Sequence, residues 1–348
     1  MSGRLVLFWL AALALGCATL ADGEAGLDNP PSARAGPFRL LKIGEVGQER
    51  AAPYVMDDQK RGLADVSVVD ADGDPSTPAV EGYFSARPAD APADSPPSEI
   101  VRALAADGRS FERTDEVVLV AGRPWEGGTV GAPSVINLGR TRRIYYAAAG
   151  GIGMAESTDG AAFLATDAPL LGAGAVPWAD GPPRSPGIAR LPDDSFVLFF
   201  EADRGGRTLL GLARSADGVT WTAAPEPALG PGGPGALDEA WVGTPQPVVA
   251  RSAQDRDVLY LYYGARAADG KQVIGLAASF LDGGEIELER SAAAMYTPST
   301  RVQPREPSVV RFDTFTLLFV TQLRGSMQTD LVVPAGVSPG NAALPTAQ

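Results

Sequence analysis

The 348-residue chain contains no histidine, a single cysteine and only three lysines, Lys42, Lys60 and Lys271. Without histidine there is no Ser-His-Asp triad, no Cys-His dyad, no HExxH zinc site and no imidazole acid or base. One cysteine leaves no partner for a disulfide within the chain. The formal charge of -13 argues against nucleic acid, whose affinity comes mostly from Lys and Arg neutralising phosphates. No dinucleotide fingerprint is present: Gly150-Gly151-Ile152-Gly153 sits between strand patterns rather than ahead of a helix. Any metal would need an all-oxygen site. The candidate, Asp70-Ala71-Asp72-Gly73-Asp74, lacks the spacing and final glutamate of an EF-hand and reads as a hydrated turn. We therefore expect no metal and no cofactor.

What is present begins with an address. Arg4, the apolar run Leu5 to Leu15 and then Gly16 read as a secretory signal over residues 1–16. That run is shorter than the ~20 residues a membrane-spanning helix needs. Cys17 follows at once, and Leu13-Ala14-Leu15-Gly16-Cys17 resembles a bacterial lipoprotein box, with Ala14 where leucine is usual. The resemblance implies a thiol acylated by diacylglycerol, and hence a membrane attachment through lipid. The alternative is an ordinary signal peptide cleaved nearby. Ala18 in place of an aspartate after the cysteine favours, by the same resemblance, the outer membrane of the cell envelope. Residues 17–37, rich in Ala, Gly, Asp and Pro without apolar periodicity, read as a flexible tether.

From residue 38 to 348 the chain is expected to be all-β. Gly (41) and Pro (30) together make about a fifth of it, so turns are frequent. Similar strand starts recur at Gly131-Ala132-Pro133, Arg184-Ser185-Pro186, Gly243-Thr244-Pro245-Gln246-Pro247 and Arg305-Glu306-Pro307. Aligned on Pro133, Pro186, Pro247 and Pro307, they are 53, 61 and 60 residues apart. Each is followed by an aromatic, β-branched run, as in Phe196-Val197-Leu198-Phe199-Phe200, and three of them by a glycine-containing run such as Ile152-Gly153-Met154-Ala155. Two of these runs end in Ser157-Thr158-Asp159-Gly160 and Ser215-Ala216-Asp217-Gly218, tight-turn signals with an aromatic three residues after the glycine. An earlier copy at Asp107-Gly108 implies an upstream unit starting near Ala64-Asp65-Val66, lengthened by a Pro-rich insertion from Arg87 to Pro97. Five units of about 60 residues predict a five-bladed β-propeller. The sequence after Thr321 is poor in strand signal, so Phe38 to Ile43 is expected to supply the strand that closes the ring. Two stacked β-domains are the alternative.

These repeats resemble the five-bladed propellers of glycoside hydrolase families 32 and 43. The resemblance covers about residues 60–321 and specifies fold more than activity. It implies an axial funnel for sugar, with carboxylates on the innermost strands of the first three blades acting as base or nucleophile and as acid. Asp65 matches the first-blade position, with Val66 where proline is usual. The second and third positions fall near Gly131 or Ala132 and Arg184 or Ser185, where no acid stands. Glu306 is the best-placed substitute: either it completes a pair with Asp65, or it forms an ion pair with Arg305 or Arg184 at the channel mouth.

Three tryptophans precede the inner strands, each beside acids: Trp125 with Glu126, Trp178 with Asp180, and Trp241 with Asp238 and Glu239. Either they rim one opening, where indole faces stack on sugars and carboxylates accept from hydroxyls, or they plug the gaps between blades. The expected function is carbohydrate binding by an enzyme-like, monomeric propeller with weak or no hydrolysis. The alternatives are an active glycoside hydrolase using Asp65 with Glu306, Glu239 or Asp180, and a non-catalytic protein-interaction scaffold.

Overall fold

In a computed structural model the described residues are Phe38, 61–108, 111–251, 256–298, 302–312, 316–324 and 327–337. The signal, Cys17, the tether and residues 39–43 lie outside them. Each sequence unit folds into one antiparallel sheet whose strands follow chain order. The first contains β1 (Ala64–Asp70), β2 (Val80–Ala86), β3 (Glu99–Ala105) and β4 (Glu112–Val120). The second contains β5 (Gly131–Leu138), β6 (Thr141–Ala148), β7 (Gly151–Ser157) and β8 (Leu164–Ala165), with β9 (Leu171–Gly172) also pairing with β7. The third contains β10 (Arg184–Arg190), β11 (Phe196–Arg204), β12 (Arg207–Ser215) and β13 (Thr222–Ala223). The fourth contains β14 (Trp241–Arg251), β15 (Asp257–Arg266), β16 (Gln272–Phe280) and β17 (Glu289–Arg290). The fifth has three strands, β18 (Val302–Arg311), β19 (Thr316–Arg324) and β20 (Met327–Val337). This is an all-β propeller with four full blades and a three-stranded fifth sheet.

Period-2 alternation explains how each sheet buries both faces. On β11, Val197 and Phe199 face the fourth sheet, packing with Leu259, Leu261 and Tyr263. Leu198 and Phe200 face the second, packing with Tyr145, Ile152 and Met154. Equivalent apolar layers fill the junctions between the first and second sheets (Ile100, Leu119, Val135, Ile144), the fourth and fifth (Tyr260, Tyr262, Leu318, Val320), and the fifth and first (Phe319, Leu317, Val68, Phe84). Each such side chain contributes roughly 1.5–3 kcal/mol on burial. The core is therefore distributed over five junctions rather than gathered in one centre.

The inner strands β1, β5, β10, β14 and β18 neighbour one another in a closed ring. A serine stitches three of the contacts: Ser67 Oγ accepts from Val135 N (3.0 Å), Ser134 Oγ from Ile188 N (3.0 Å), and Ser308 Oγ from Val68 N (2.8 Å). At β10 the equivalent residue is Gly187, and a Cβ there would collide with the Pro245 carbonyl, so closer approach of β14 replaces the stitch.

Of the expected closing strand, Phe38 bridges to Tyr296 and packs edge-on against Tyr262 of the fourth sheet (ring centroids 6.4 Å apart), and the rest of that segment lies outside the described residues. Two sequence expectations need correction. The third strand of the last sheet is β20, from the segment after Thr321 that carries little strand signal; its partner β19 supplies the pairing. The proline equivalent to Pro133, Pro186 and Pro307 is Pro245, not Pro247, as the backbone geometry of the site makes plain.

Candidate functional site on the propeller axis

Five of the six non-glycine residues with positive φ among the described residues are Asp65 (53°), Ala132 (46°), Ser185 (49°), Thr244 (46°) and Glu306 (49°). They occupy one position in five successive sheets. Each lies where the pairing register of its inner strand shifts, the mark of a β-bulge. Four of the five precede proline, which disfavours helical conformations in the residue before it, and a β-branched Thr244 in the left-handed region is strained in its own right. Strain of this kind costs on the order of 1–3 kcal/mol per residue and gathers where backbone geometry serves a site. All five residues, with Pro133, Pro186, Pro245 and Pro307, line one hollow on the axis.

That hollow is narrow. Its volume is about 30 Å³, room for roughly two or three waters. Asp65 also lines a second, larger cleft of about 240 Å³ beside the first sheet, together with Gly62, Ala64, Ser85, Arg87 and Ala93 to Ser95. The Asp65 Oδ2 accepts from Ser85 Oγ (2.5 Å) and from Ala132 N (3.2 Å), which fixes the carboxylate between the two spaces.

Glu306 stands next to Asp65 across the β18–β1 junction. Its Oε2 is cut off from solvent without a hydrogen-bond partner. Burial first, and then the Asp65 charge, push the Glu306 carboxyl well above the usual range against smaller opposing effects of Thr321 and Arg305. The two carboxyls lie close enough for the Asp65 charge to act on Glu306.

The alternative of an ion pair for Glu306 with Arg184 is not what forms. Arg184 grips Asp203 with both terminal nitrogens (2.9 Å each) and reaches Glu201 through Nε (3.1 Å). Arg305 lies 5.7 Å from the Trp241 ring centroid, a cation–π geometry. Glu201 is an axial acid that the motif comparison missed. It pairs in register with Arg184, at the β11 position occupied by Ser85, Ala147, Gly264 and Thr321 on the other sheets. Its Oε1 accepts from Thr244 N at 2.7 Å, and burial raises its carboxyl despite that bond and the Arg184 charge. An acid in a series of small residues was the available signal.

The tryptophans and their acids do not gather at the axial hollow. Trp125 stacks on Tyr146 (5.8 Å, 28°) and Trp178 on Phe200 (6.4 Å, 9°). Each lies where a Cβ would stand on a glycine: Gly153 under Trp125, Gly211 under Trp178, Gly243 and Gly264 under Trp241. Glycines on the third strands β7 and β12, and on β14 and β15 of the fourth sheet, thus make room for these indoles. Glu126 is 1% exposed, accepting from Gly122 N (2.6 Å), Arg123 N (2.7 Å) and Tyr146 Oη (2.7 Å). Asp238 is fully buried and accepts from Tyr263 Oη (2.9 Å) and Arg290 Nε (3.0 Å). Asp180 and Glu239 accept from loop amides of Gly205 and Gly235, both at 2.7 Å. These side chains are not among the residues lining the axial hollow, and the four acids bond loop amides or groups of their own sheets.

Among the described residues no group of three or more acids, cysteines or histidines is arranged to hold a metal ion, and no helix is long and apolar enough to cross a membrane. The Asp70–Asp74 segment is a self-bonded turn, with Asp70 Oδ1 accepting from Asp72 N and Gly73 N.

No protein-family model matches the chain, and no curated protein matches it by sequence. Its fold is nonetheless similar to solved glycoside hydrolase-like propellers. One is a glycosyl hydrolase from Bacteroides ovatus, at 13% identity over 92% of this chain and 99% of that one, with a TM-score of 0.60. A second is described under the GH130 family of mannoside phosphorylases containing glycoside hydrolases that target β-1,2 mannosidic linkages in Candida mannan; it has 13% identity, covers 92% of this chain and 99% of that one, and gives a TM-score of 0.61. A third is a putative glycosidase from Bacteroides thetaiotaomicron, at 14% identity over 90% and 97% of the two chains, with a TM-score of 0.58. At these identities the likeness is one of fold.

Proposed function

We propose that the chain is a carbohydrate-binding propeller of glycosidase-like build with weak or no hydrolysis, its three-stranded sheet serving as the fifth blade. The observation that carries the reading is the convergence of Asp65 and Glu306 on the axial hollow, with Ala132 and Ser185 at the equivalent positions of the next two sheets. Asp65, which also lines the 240 Å³ cleft, offers a carboxylate that can accept hydrogen bonds from sugar hydroxyls. Ala132 and Ser185 standing where acids are expected at the next two positions support weak or no two-carboxylate cleavage. The raised Glu306 carboxyl favours a second reading, in which it donates a proton during hydrolysis with Asp65 as its partner.

A glycan array with the purified chain, followed by reducing-sugar assays on each bound glycan, tests both. Binding without sugar release is the expected result. Release abolished by Asp65→Asn would establish the hydrolase instead, and an empty array would overturn both readings.

The protein belongs, in this proposal, to the cell envelope as a monomer attached to the outer membrane through lipid on Cys17, with neither metal nor nucleic acid as partner. The lipoprotein-like Leu13–Cys17 segment supports the attachment. Metabolic labelling with a fatty-acid probe should mark the wild type and not Cys17→Ser; equal labelling of the two would end that assignment.

A further inference from the structure

The 240 Å³ cleft beside Asp65 is walled by a segment that the propeller itself does not require, the insertion from Arg87 to Pro97. Four prolines, Pro88, Pro92, Pro96 and Pro97, restrict its backbone. Two consecutive tight turns shape it, with Ala91 N donating to Pro88 O and Ser95 N to Pro92 O, both at 3.0 Å. Both ends are fastened. Arg87 N donates to Arg61 O (2.9 Å) and Val130 N to Pro97 O (3.2 Å), while the Arg61 and Glu99 side chains form an ion pair at the base. The Arg87 guanidinium is seated over Gly62, which has φ +58° and where a Cβ would collide with it. A wall held this way gives up little entropy when it receives a ligand.

The lining is polar: Asp65 and Asp94, the Arg87 guanidinium, and the hydroxyls of Ser85 and Ser95. Among the described residues it includes no aromatic ring, so these side chains recognise a guest through hydrogen bonds rather than stacking. Two carboxylates against one guanidinium disfavour an anionic guest. Among the described residues, Asp65 alone lines both this cleft and the axial hollow, which at about 30 Å³ is too small for a pyranose ring.

We propose that this cleft, rather than the axial hollow, seats one neutral sugar residue, a chain-terminal unit of the glycan, with Asp65 and Asp94 accepting from its hydroxyls and the Arg87–Pro97 wall setting specificity. The assignment rests on the carbohydrate-binding reading above and names the position and class of the sugar.

The test uses the full chain and titration calorimetry with an array-positive glycan ending in a neutral hexose or pentose, and the same glycan ending in glucuronate. Ala93 and Asp94 are exposed, so Ala93→Trp fills the cleft and Asp94→Asn alters one acceptor without touching the core. The expected result is at least a tenfold loss of affinity in Ala93→Trp, a smaller loss in Asp94→Asn, and weaker binding of the glucuronate-ended glycan. Unchanged affinity in both variants would overturn the cleft assignment while leaving carbohydrate binding intact. Preference for glucuronate would overturn the neutral class. A wild type that binds no array glycan would overturn this inference together with the reading it rests on.

Discussion

Glu306 lies on an inner strand at the propeller axis and Glu126 in the turn that leads into another inner strand, each beside an aromatic or charged neighbour, yet they stand in opposite situations. Glu126 has both carboxylate oxygens occupied, by two backbone amides and a buried phenol. Glu306 has an oxygen shut off from water with nothing bonded to it, next to the like charge of Asp65. Burial alone therefore says little about role. A satisfied buried acid fixes a loop, whereas an unsatisfied one beside a second carboxylate weakens the fold and persists at a site.

That contrast has measurable consequences, the largest in the blade interior. Glu126→Ala leaves two amides and the Tyr146 hydroxyl without an acceptor, so we expect a loss of about 3–5 kcal/mol and a fall in melting temperature of roughly 10 °C. A change below about 1 kcal/mol would erase the distinction between the two acids. Gly153→Val tests the packing side of the same region. The added carbons meet the Trp125 indole and the Tyr146 ring, and overpacking costs about 1–3 kcal/mol, readable as a lower urea midpoint.

At the axis the sign reverses. A carboxyl held above its ordinary value supports the fold fully below that value and loses that contribution as pH rises through the raised one. Glu306→Gln should therefore raise the melting temperature by a few degrees (~2–4 °C per kcal/mol) near pH 7–8, with the gain fading as pH falls toward the ordinary glutamate value of 4.5 and absent below it. A lower melting temperature at pH 7.5 would contradict the assignment of strain to this residue.

The smallest effect is in the outer turns. Ser157 and Ser215 accept from the amides of Gly160 and Gly218, while Asp159 and Asp217 each accept from two following amides, which lowers both carboxyls to about 2. Their contribution is present above the ordinary value of 3.8 and is lost as pH falls toward 2. Replacing both with alanine should flatten the decline of stability across that interval in acid-titrated thermal scans. An unchanged slope would show the turns to be indifferent to charge.

Much of the architecture was readable from the repeats because each unit carries its own local signals: alternating aromatics, Asp-Gly turns and glycines in the third strand. The Asp-Gly turns and the aromatics after them fall where expected, Phe163 and Trp221 leading into β8 and β13. What failed to read was anything set by a partner rather than by the segment. Strand β20 owes its form to β19, and Phe38 bridges to Tyr296. Pro247 resembles the other prolines in composition, but only backbone conformation shows that Thr244-Pro245 is the equivalent pair.

At the site, Asp65 and Glu306 were both recognisable from the aligned strand starts. The tryptophans were not assignable, since an indole before a strand looks the same whether it faces solvent or lies on a glycine two strands away. Glu201 escaped because its relation to the axis runs through register with Arg184, across a hairpin.

The central claim, that sugar is received where Asp65 joins the axial hollow to the first-sheet cleft, is tested most directly by a crystal structure with an array-positive glycan bound. The account predicts sugar density within hydrogen-bonding distance of the Asp65 carboxylate, against the Arg87–Pro97 wall. Density confined to an outer strand edge, or to the opposite face of the ring, would contradict it.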